Sequence, residues 1–252
     1  MYPSKKLFGI LFALTVATIL EIIMVAGYYA TADAGTFHFL NRFFVLTGGN
    51  FIGGGYIQWL TFFAFFWSMI EIKECFKNID FHKRGYRLKL LPTNDKIVLM
   101  AQDVMEILVK AQEVEKTKNK NLLTNIIKKA CTKFRTSKNI SEMIEIISIQ
   151  TEIDKNKSES DQSNIRYLTW LIPSVGFIGT VLGISQALTI ANSGDMELIT
   201  ATLGVAFDTT LIALILSIIV MWFYHRLQEE TDRLHDEIKE YVIENLVNKV
   251  ET

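Results

Sequence analysis

The chain has 252 residues, half of them hydrophobic, and a formal net charge of −1 at pH 7. A charge this close to zero excludes the basic footprint of a nucleic-acid-binding protein. The two cysteines and four histidines are scattered along the sequence and suggest no metal-ligand cluster. The sequence also carries no phosphate-binding glycine loop and no catalytic constellation. We therefore predict no metal, no cofactor and no enzymatic activity.

Hydrophobic residues gather in four runs, each about long enough to cross a hydrocarbon core of ~30 Å at ~1.5 Å per residue. The runs are residues 7–30, 52–70, 165–191 and 198–224. Their length and low charge favour membrane-spanning helices over the buried helices of a soluble protein. The first run lacks the small-residue cleavage pattern of a signal peptide, so we expect it to be retained. Three glycines, residues 53–55, are expected to allow a bend or a close helix contact.

Basic residues mark one side of the predicted spans. They precede the first span, follow the second, begin the third and follow the fourth: Lys5, Lys6, Lys73, Lys77, Lys83, Arg84, Arg87, Lys89, Arg166, Arg226 and Arg233. The other two loops are poor in positive charge, and the first holds only Arg42. The positive-inside rule then predicts that both termini and residues 71–164 are cytoplasmic.

Outside the spans, apolar residues recur at three- and four-residue steps, which predicts amphipathic helices. In the cytoplasmic segment these residues are Val98, Met105, Leu108, Val109, Leu122, Leu123, Ile126 and Ile127, and in residues 225–252 they are Leu227, Leu234, Ile238, Tyr241, Val242 and Leu246. Spans two and four are expected to run on as helices beyond the bilayer. The predicted fold is therefore an all-α integral membrane protein with four transmembrane helices and long cytoplasmic extensions.

The third run contains an unusual stretch, PSVGFIGTVLG, at residues 173–183. Gly179 and Gly183 form a small-xxx-small pair, with Gly176 one turn earlier, and such residues let two helix backbones approach closely. Pro173 lacks an amide hydrogen and can kink the helix. Tight packing of span three on span four explains this pattern without any role in transport.

Two threonines are predicted to share one depth in the membrane. Thr180 lies 14 residues after Arg166, and Thr210 lies 14 residues before Tyr224. Both positions are then ~21 Å from the inner boundary. Because the two spans are consecutive and antiparallel, we expect the two hydroxyl groups to lie at a similar level.

Two acidic residues fall inside predicted spans, Asp208 in the fourth and Glu21 in the first. An ionisable side chain at this depth costs ~2.5–3.5 kcal/mol on insertion scales, so each should face the protein interior or a wet cavity. Each residue is a candidate ion site, with Glu21 the secondary one. The alternative for both is a polar contact with a neighbouring helix.

The motifs of spans three and four together resemble the MotA/TolQ/ExbB family of proton-driven motor subunits. The third-helix pattern of the family appears as Pro173, Gly176, Gly179, Thr180, Val181 and Gly183, and the last-helix pattern appears as AFDTTLIALILSI, with Thr210 at the matching threonine. With its four predicted spans the chain resembles the flagellar-stator branch, whereas its sequence GFIGTVLG resembles that of the TolQ/ExbB branch. Asp208 departs from the family, whose members commonly have an uncharged residue two positions before this threonine.

The resemblance implies a homopentamer in the bacterial inner membrane. Residues 165–224 would line its central pore, residues 1–70 would form a peripheral hairpin, residues 71–164 a cytoplasmic helical domain and residues 225–252 a cytoplasmic C-terminal helix. The pore would hold a dimer of a single-span MotB/TolR/ExbD-like protein that carries a membrane aspartate. Proton passage along Thr180, Thr210 and Asp208 would drive rotation of the ring around this partner. The protein partners would be embedded in the lipid bilayer, and no nucleic acid would be involved.

Two other functions fit the same residues. The chain would be a self-contained ion channel or transporter if Asp208 and Glu21 were its ion sites, or a structural scaffold if none of these residues carried ions. Five ionised copies of Asp208 around one pore would repel one another, so we expect protonation or a cationic neighbour, supplied by the partner. The sequence leaves open the choice between H⁺ and Na⁺ and the downstream process.

Overall fold

The computed structural model describes residues 3–32, 38–94, 96–116 and 121–251. These residues are overwhelmingly helical, and the described parts contain no strand beyond an isolated bridge between Leu99 and Val250. The α-helices of the described residues are α1 (Pro3–Ala32), α2 (His38–Leu46), α3 (Tyr56–Lys83), α4 (Ala101–Lys116), α5 (Leu122–Ser137), α6 (Ile140–Asp161), α7 (Ser163–Ile190) and α8 (Met196–Asn245).

The chain divides into two compact units. The first unit comprises Met1–Lys73 and Ser163–His225, and the second comprises Glu74–Gln162 and Arg226–Thr252. Helices α3 and α8 contribute residues to both units. The 50 residues of α8 form one uninterrupted helix, as the continuation of the fourth run into the C-terminal apolar stripe predicts.

Three helical stretches among the described residues are long and apolar enough to cross a membrane: Leu7–Thr31, Ile140–Ile190 and Met196–Lys249. They contain the first, third and fourth predicted spans, and the chain is a multi-pass membrane protein. Helix α3 is not one of these stretches, so the second predicted span is not confirmed. That span also starts later than predicted, because residues 51–55 form a π-helical turn in which Gly54 has φ 129°, a conformation that favours glycine.

The first unit buries small and polar side chains and exposes large apolar ones. On α1, Ala13 and Ala17 are fully buried, whereas Phe8 and Ile22 are exposed. Helix α3 buries a face at helical spacing that is rich in small and polar residues: Gln58, Thr61, Ala64, Ser68 and Glu71. This pattern is the reverse of that in a water-soluble protein, and it suits a helix bundle whose surroundings are hydrocarbon.

The second unit has a conventional apolar core. Helix α4 packs against α5, and α5 packs against α6. The apolar stripe of the α8 extension is confirmed, since its aliphatic members are buried: Leu227, Leu234, Ile238, Val242 and Leu246. Polar contacts also join this extension to α6, where Ser158 Oγ lies 3.1 Å from His235 Nε2 and Gln162 donates to Thr231 at 2.8 Å.

The apolar pattern assigned to α4 is partly wrong. Val98, Met105 and Val109 are exposed, and the buried residues are Val104, Ile107, Leu108 and Ala111. The exposed residues and the buried residues both have helical spacing, and the two sets are offset by about one residue along the chain. The sequence therefore shows that α4 is amphipathic, but only its packing against α5 determines which side is covered.

Helix α5 begins at a polar junction with α3. Asn121 caps α5 by accepting a hydrogen bond from Leu123 N at 2.9 Å, and it donates to the carbonyl of His82 at 3.1 Å. The Nδ1 atom of His82 accepts from Leu122 N at 3.4 Å. Burial, together with the nearby His235, lowers the pKa of His82 from 6.5 to about 4, so its ring is neutral at pH 7.

Candidate ion pathway between two membrane helices

Helix α7 approaches α8 through the glycines of the 173–183 stretch. A Cβ atom on Gly179 would lie 2.5 Å from Thr209 Oγ1 and 2.8 Å from Ile57, and one on Gly183 would lie 2.5 Å from Ala206 Cβ. Gly176 lies against Ala213 in the same way. No side chain fits at these three positions without moving α8, so the glycines hold the two helices at this close spacing.

Helix α7 continues through Pro173. Because proline has no amide hydrogen, the carbonyl one turn earlier loses its helical donor. Within that turn, the Ser174 hydroxyl donates to the carbonyl of Trp170 at 2.9 Å. The proline thus lies one turn below the first close contact of α7 with α8, at Gly176.

The hydroxyl groups of Thr180 and Thr210 are in direct hydrogen-bond contact, as their shared depth predicts. Thr180 Oγ1 also lies 3.0 Å from the carbonyl oxygen of Ala206 on α8, and Thr210 Oγ1 lies 3.0 Å from that of Gly176 on α7. Both threonines are half-buried. Each hydroxyl therefore faces the other hydroxyl and one backbone carbonyl of the opposite helix.

This arrangement offers more acceptors than protons. Each threonine has one hydroxyl proton, so the pair can make only two of the three contacts as a donor at one time. Thr180 can donate to Thr210 while Thr210 donates to Gly176, or Thr210 can donate to Thr180 while Thr180 donates to Ala206. In a third arrangement both hydroxyls donate to the carbonyls. The arrangements use the same atoms and exchange by rotation of the two hydroxyl hydrogens.

Asp208 lies two residues before Thr210 on α8 and is bound by an arginine of the same chain. Arg42 on α2 binds the Asp208 carboxylate with both terminal nitrogens. Its Nη2 donates to Oδ1 at 2.6 Å, and its Nη1 contacts Oδ2. The Asp208 side chain is only 4% exposed, whereas that of Arg42 is 57% exposed. A bidentate guanidinium pair matches the charge of a buried carboxylate with good geometry. The expected cation is therefore Arg42 of this chain and not a residue of a partner.

Residues 116–240, about half of the chain, match the model of the MotA/TolQ/ExbB proton channel family. The chain belongs to this family. The match includes the threonine pair and Asp208, whereas Arg42 and Glu21 lie outside it. No curated protein and no solved structure matches the chain. Membership in the MotA/TolQ/ExbB family associates the chain with proton transport coupled to a motor-like complex. The family consists of transport proteins, not of enzymes.

Glu21 is not part of the threonine cluster. It lies on α1, is 5% exposed, and its two carboxyl oxygens have no hydrogen-bond partner. Its immediate neighbours are Gly48 and Gln58, on the segment that leads into α3 and on α3 itself. The structure thus brings the hydroxyl groups of Thr180 and Thr210 together, whereas Asp208 binds Arg42 and Glu21 lies beside Gly48.

Three further polar residues of the first unit are not among the candidates that the sequence motifs of this MotA/TolQ/ExbB member indicate. Thr209 is buried, and its hydroxyl donates to the carbonyl of Ala206 at 2.7 Å. Arg42 was noted only as the single basic residue of its loop, although that isolation already suggested a specific acidic partner. Gln58 is an isolated amide in an apolar run, and it is fully buried.

A small cavity adjoins the outer end of the cluster. Its volume is about 20 Å³, enough for about one water molecule. Gly54 and Gly179 form part of its wall, and Gln186, Thr202 and Thr209 supply polar side chains. A polar space of this size can hydrate Thr209 next to the threonine pair.

Proposed function

We propose that this chain is the ring-forming subunit of a proton-driven rotary motor, which converts ion flow into mechanical work through a single-span partner in its central pore. The observation that carries this proposal is the contact between the Thr180 and Thr210 hydroxyls on α7 and α8. A reversible pair of hydroxyls can accept a hydrogen bond from a protonated carboxyl group of the partner or donate one to its ionised form. A proton that crosses the membrane releases ~2.3 kcal/mol per 100 mV, which can bias a rotary step.

We further propose that α3 also crosses the membrane, which brings the number of transmembrane helices to four. Its polar residues lower its average hydropathy, but Gln58, Thr61, Ser68 and Glu71 lie on the buried face. Its remaining surface consists largely of phenylalanine, leucine and tryptophan. A helix of this kind presents an apolar surface to lipid and keeps its polar groups among neighbouring helices.

In this proposal five copies form the ring, with α7 and α8 around the pore and α1 to α3 at the periphery. Helices α7 and α8 expose large apolar side chains, including Phe177, Val181 and Phe207, which suit contacts with neighbouring copies, the partner and lipid. A dimer of a single-span protein with a membrane aspartate would occupy the pore. The assembly would lie in the bacterial inner membrane, with both termini and the second unit in the cytoplasm.

The proposed role of Asp208 follows from its ion pair. Arg42 binds both carboxylate oxygens, so five copies of Asp208 do not bring five uncompensated charges to the ring. The pair instead ties α2 to α8 two residues before Thr210. We therefore assign Asp208 to positioning α8 along the ion path, and the hydroxyl pair to contact with the proton carrier.

The test is proton flux into proteoliposomes that contain the chain and its partner, followed with a pH-sensitive dye. Thr180→Val and Thr210→Val should each reduce flux at least tenfold, and Thr180→Ser and Thr210→Ser should retain it because the hydroxyl remains. Thr200→Val is the matched control, since Thr200 is exposed and its hydroxyl donates only to its own helix, to the carbonyl of Met196 at 2.7 Å. Normal flux in both valine variants would contradict the proposal.

Assembly and ion choice are tested separately. The mass of the detergent-solubilised complex should equal five chains plus two partners, and a stable monomer would contradict the ring. Proton flux by the chain alone, without a partner, would favour a self-contained channel. The hydroxyl pair offers few ligands for Na⁺, so activity should collapse with an uncoupler and ignore a sodium gradient.

A further inference from the structure

Two buried polar side chains of the first unit, Glu21 and Gln58, lack hydrogen-bond partners, and both approach the same residue, Gly48. The four atoms without a hydrogen bond are Oε1 and Oε2 of Glu21 and Oε1 and Nε2 of Gln58. Glu21 is 5% exposed, and Gln58 is fully buried. Buried polar groups in folded proteins are nearly always hydrogen-bonded, so a group of four such atoms requires an explanation.

Both side chains meet at Gly48. A Cβ atom on Gly48 would lie 3.0 and 3.1 Å from the two carboxyl oxygens of Glu21 and 3.1 Å from Cβ of Gln58. Gly48 itself has φ 107°, so glycine is required here for its backbone as well as for its size. The missing side chain leaves the Glu21 carboxyl group of α1 and the Cβ of Gln58 on α3 beside the same small space, so that rotation of the Gln58 side chain can bring its amide to the carboxyl group.

We propose that Glu21 and Gln58 form a proton-binding site, in which a neutral Glu21 carboxyl group pairs with the Gln58 amide. The carboxyl O–H donates to Gln58 Oε1, and Gln58 Nε2 donates to the remaining carboxyl oxygen. One bound proton thereby provides partners for all four atoms. An ionised Glu21 can only accept hydrogen bonds, so it would leave Gln58 Oε1 without a donor.

The charge balance of the surroundings favours the neutral form. Among the described residues of the first unit, the other buried ionisable side chains are Asp208 and Glu71. Asp208 is bound by Arg42, and Glu71 accepts a hydrogen bond from Trp67 at 3.4 Å. The residues against Glu21, Gly48 and Gln58, carry no charge. An uncompensated carboxylate at this place would therefore be strongly unfavourable.

The site adjoins an open groove that gives small apolar reagents access. Glu21 contributes to the wall of this groove, whose volume is about 670 Å³, together with Thr18, Ile22, Val25, Tyr29, Ile52 and Trp59. A hydrophobic carbodiimide reacts with protonated carboxyl groups: the carboxyl oxygen bonds to the central carbon of the reagent, the carboxyl proton moves to one of its nitrogens, and the C=N bond between them becomes a single bond. Such a reagent separates Glu21 from Asp208, whose carboxyl oxygens are bound by both terminal nitrogens of Arg42.

Infrared difference spectroscopy of the purified full-length chain in lipid at pH 7 tests the protonation directly. The C=O stretch of a neutral carboxyl group should be present in the natural protein and absent in Glu21→Gln, whose side chain keeps the size and can still pair with Gln58. Asp208→Asn is the matched control and should not change this band. Gln58→Leu should keep the band but shift it to higher frequency, because its hydrogen bond is lost.

A second measurement does not depend on any variant. Treatment of the natural protein with dicyclohexylcarbodiimide, followed by mass spectrometry of its peptides, should modify Glu21 and leave Asp208 unmodified. Raising the pH until Glu21 ionises should abolish the reaction. An unchanged neutral-carboxyl band in Glu21→Gln, or the absence of modified Glu21 in the natural protein, would overturn the proposal.

Discussion

The two units of the chain follow opposite rules of burial. In the first unit, the buried side chains include Glu21, Gln58 and Asp208, and exposed positions carry residues such as Phe177 and Ile218. In the second unit, the core contains residues such as Leu108, Ile127 and Ile238, and most charged side chains lie at its surface. The difference reflects the solvent of each unit, because apolar surface is tolerated in hydrocarbon and must be removed from water.

The same comparison extends to the buried carboxylates of the first unit. Asp208 is matched by a guanidinium with two hydrogen bonds, whereas Glu21 lies beside an uncharged amide. Asp208 is compensated by an ion pair with Arg42, and in our proposal Glu21 is compensated by a bound proton. A low-dielectric interior thus accommodates an acidic residue in two different ways.

The largest effect is expected from breaking the ion pair of the first unit. Arg42→Gln leaves the Asp208 carboxylate buried without compensation and should destabilise the unit by about 3 kcal/mol. Asp208→Asn should cost only about 1 kcal/mol, because Arg42 is more than half exposed and can find other partners. Thermal unfolding in detergent measures both. The double variant should be more stable than Arg42→Gln alone, and equal loss in the two single variants would contradict this asymmetry.

The contrast between the two solvents is tested by adding one charge to each unit. Ile218 of α8 is 68% exposed in the first unit, and Val109 of α4 is 48% exposed in the second. Ile218→Lys should cost ~2.5–3.5 kcal/mol, because the lysine faces hydrocarbon or a membrane interface between subunits. Val109→Lys should change stability by less than about 0.5 kcal/mol. Membrane insertion and detergent unfolding report both effects, and a similar response of the two sites would remove the distinction between the units.

Two glycines of the first unit, Gly179 and Gly204, test whether close contact between helices explains the choice of glycine. Gly179→Ala would place a Cβ atom 2.5 Å from Thr209 Oγ1, so we expect a loss of about 2 kcal/mol and reduced proton flux as α7 and α8 separate. A Cβ atom on Gly204 would meet no neighbouring side chain or helix within 4 Å. Gly204→Ala should therefore be neutral or stabilising by up to ~1 kcal/mol through helix propensity. Equal effects of the two substitutions would show that contact with α8 is not the reason for Gly179.

The smallest effect concerns acid sensitivity of the second unit. Burial lowers the pKa of His82 to about 4 in the folded state. Between pH 6.5 and 4 the unfolded chain therefore binds a proton at this side chain that the folded chain does not bind. The stability that the neutral ring contributes is present above pH 6.5 and is lost as the pH falls from 6.5 towards 4. Protonation also removes the acceptor for Leu122 N.

His82→Asn provides the control for this prediction. Its side-chain oxygen can replace Nδ1 as an acceptor but does not titrate, so unfolding of the variant should depend less on pH between 6.5 and 4. Unfolding temperatures measured across this range compare the two proteins. Identical pH profiles would show that another group controls acid stability.

Some of these features could be read from local sequence patterns. The apolar runs predict helices α1, α7 and α8, and the stripe after residue 225 predicts the buried side of the α8 extension. The threonine pair was also predictable, because two antiparallel spans place residues equally far from the same membrane boundary at one level, and Thr180 and Thr210 were each counted as 14 residues from the inner boundary. These conclusions depend on helical period and distance along the chain, which the order of amino acids determines directly.

The sequence by itself determined that this protein is helical, lies in a membrane and brings Thr180 and Thr210 to one depth. Only the tertiary structure decided that Asp208 binds Arg42, 166 positions away, and that Glu21 and Gln58 both approach Gly48. It also decided which side of α4 is covered. Helical periodicity limits which residues share a face, but a partner on another helix depends on the rotation and tilt with which distant helices pack, and no local pattern encodes that geometry.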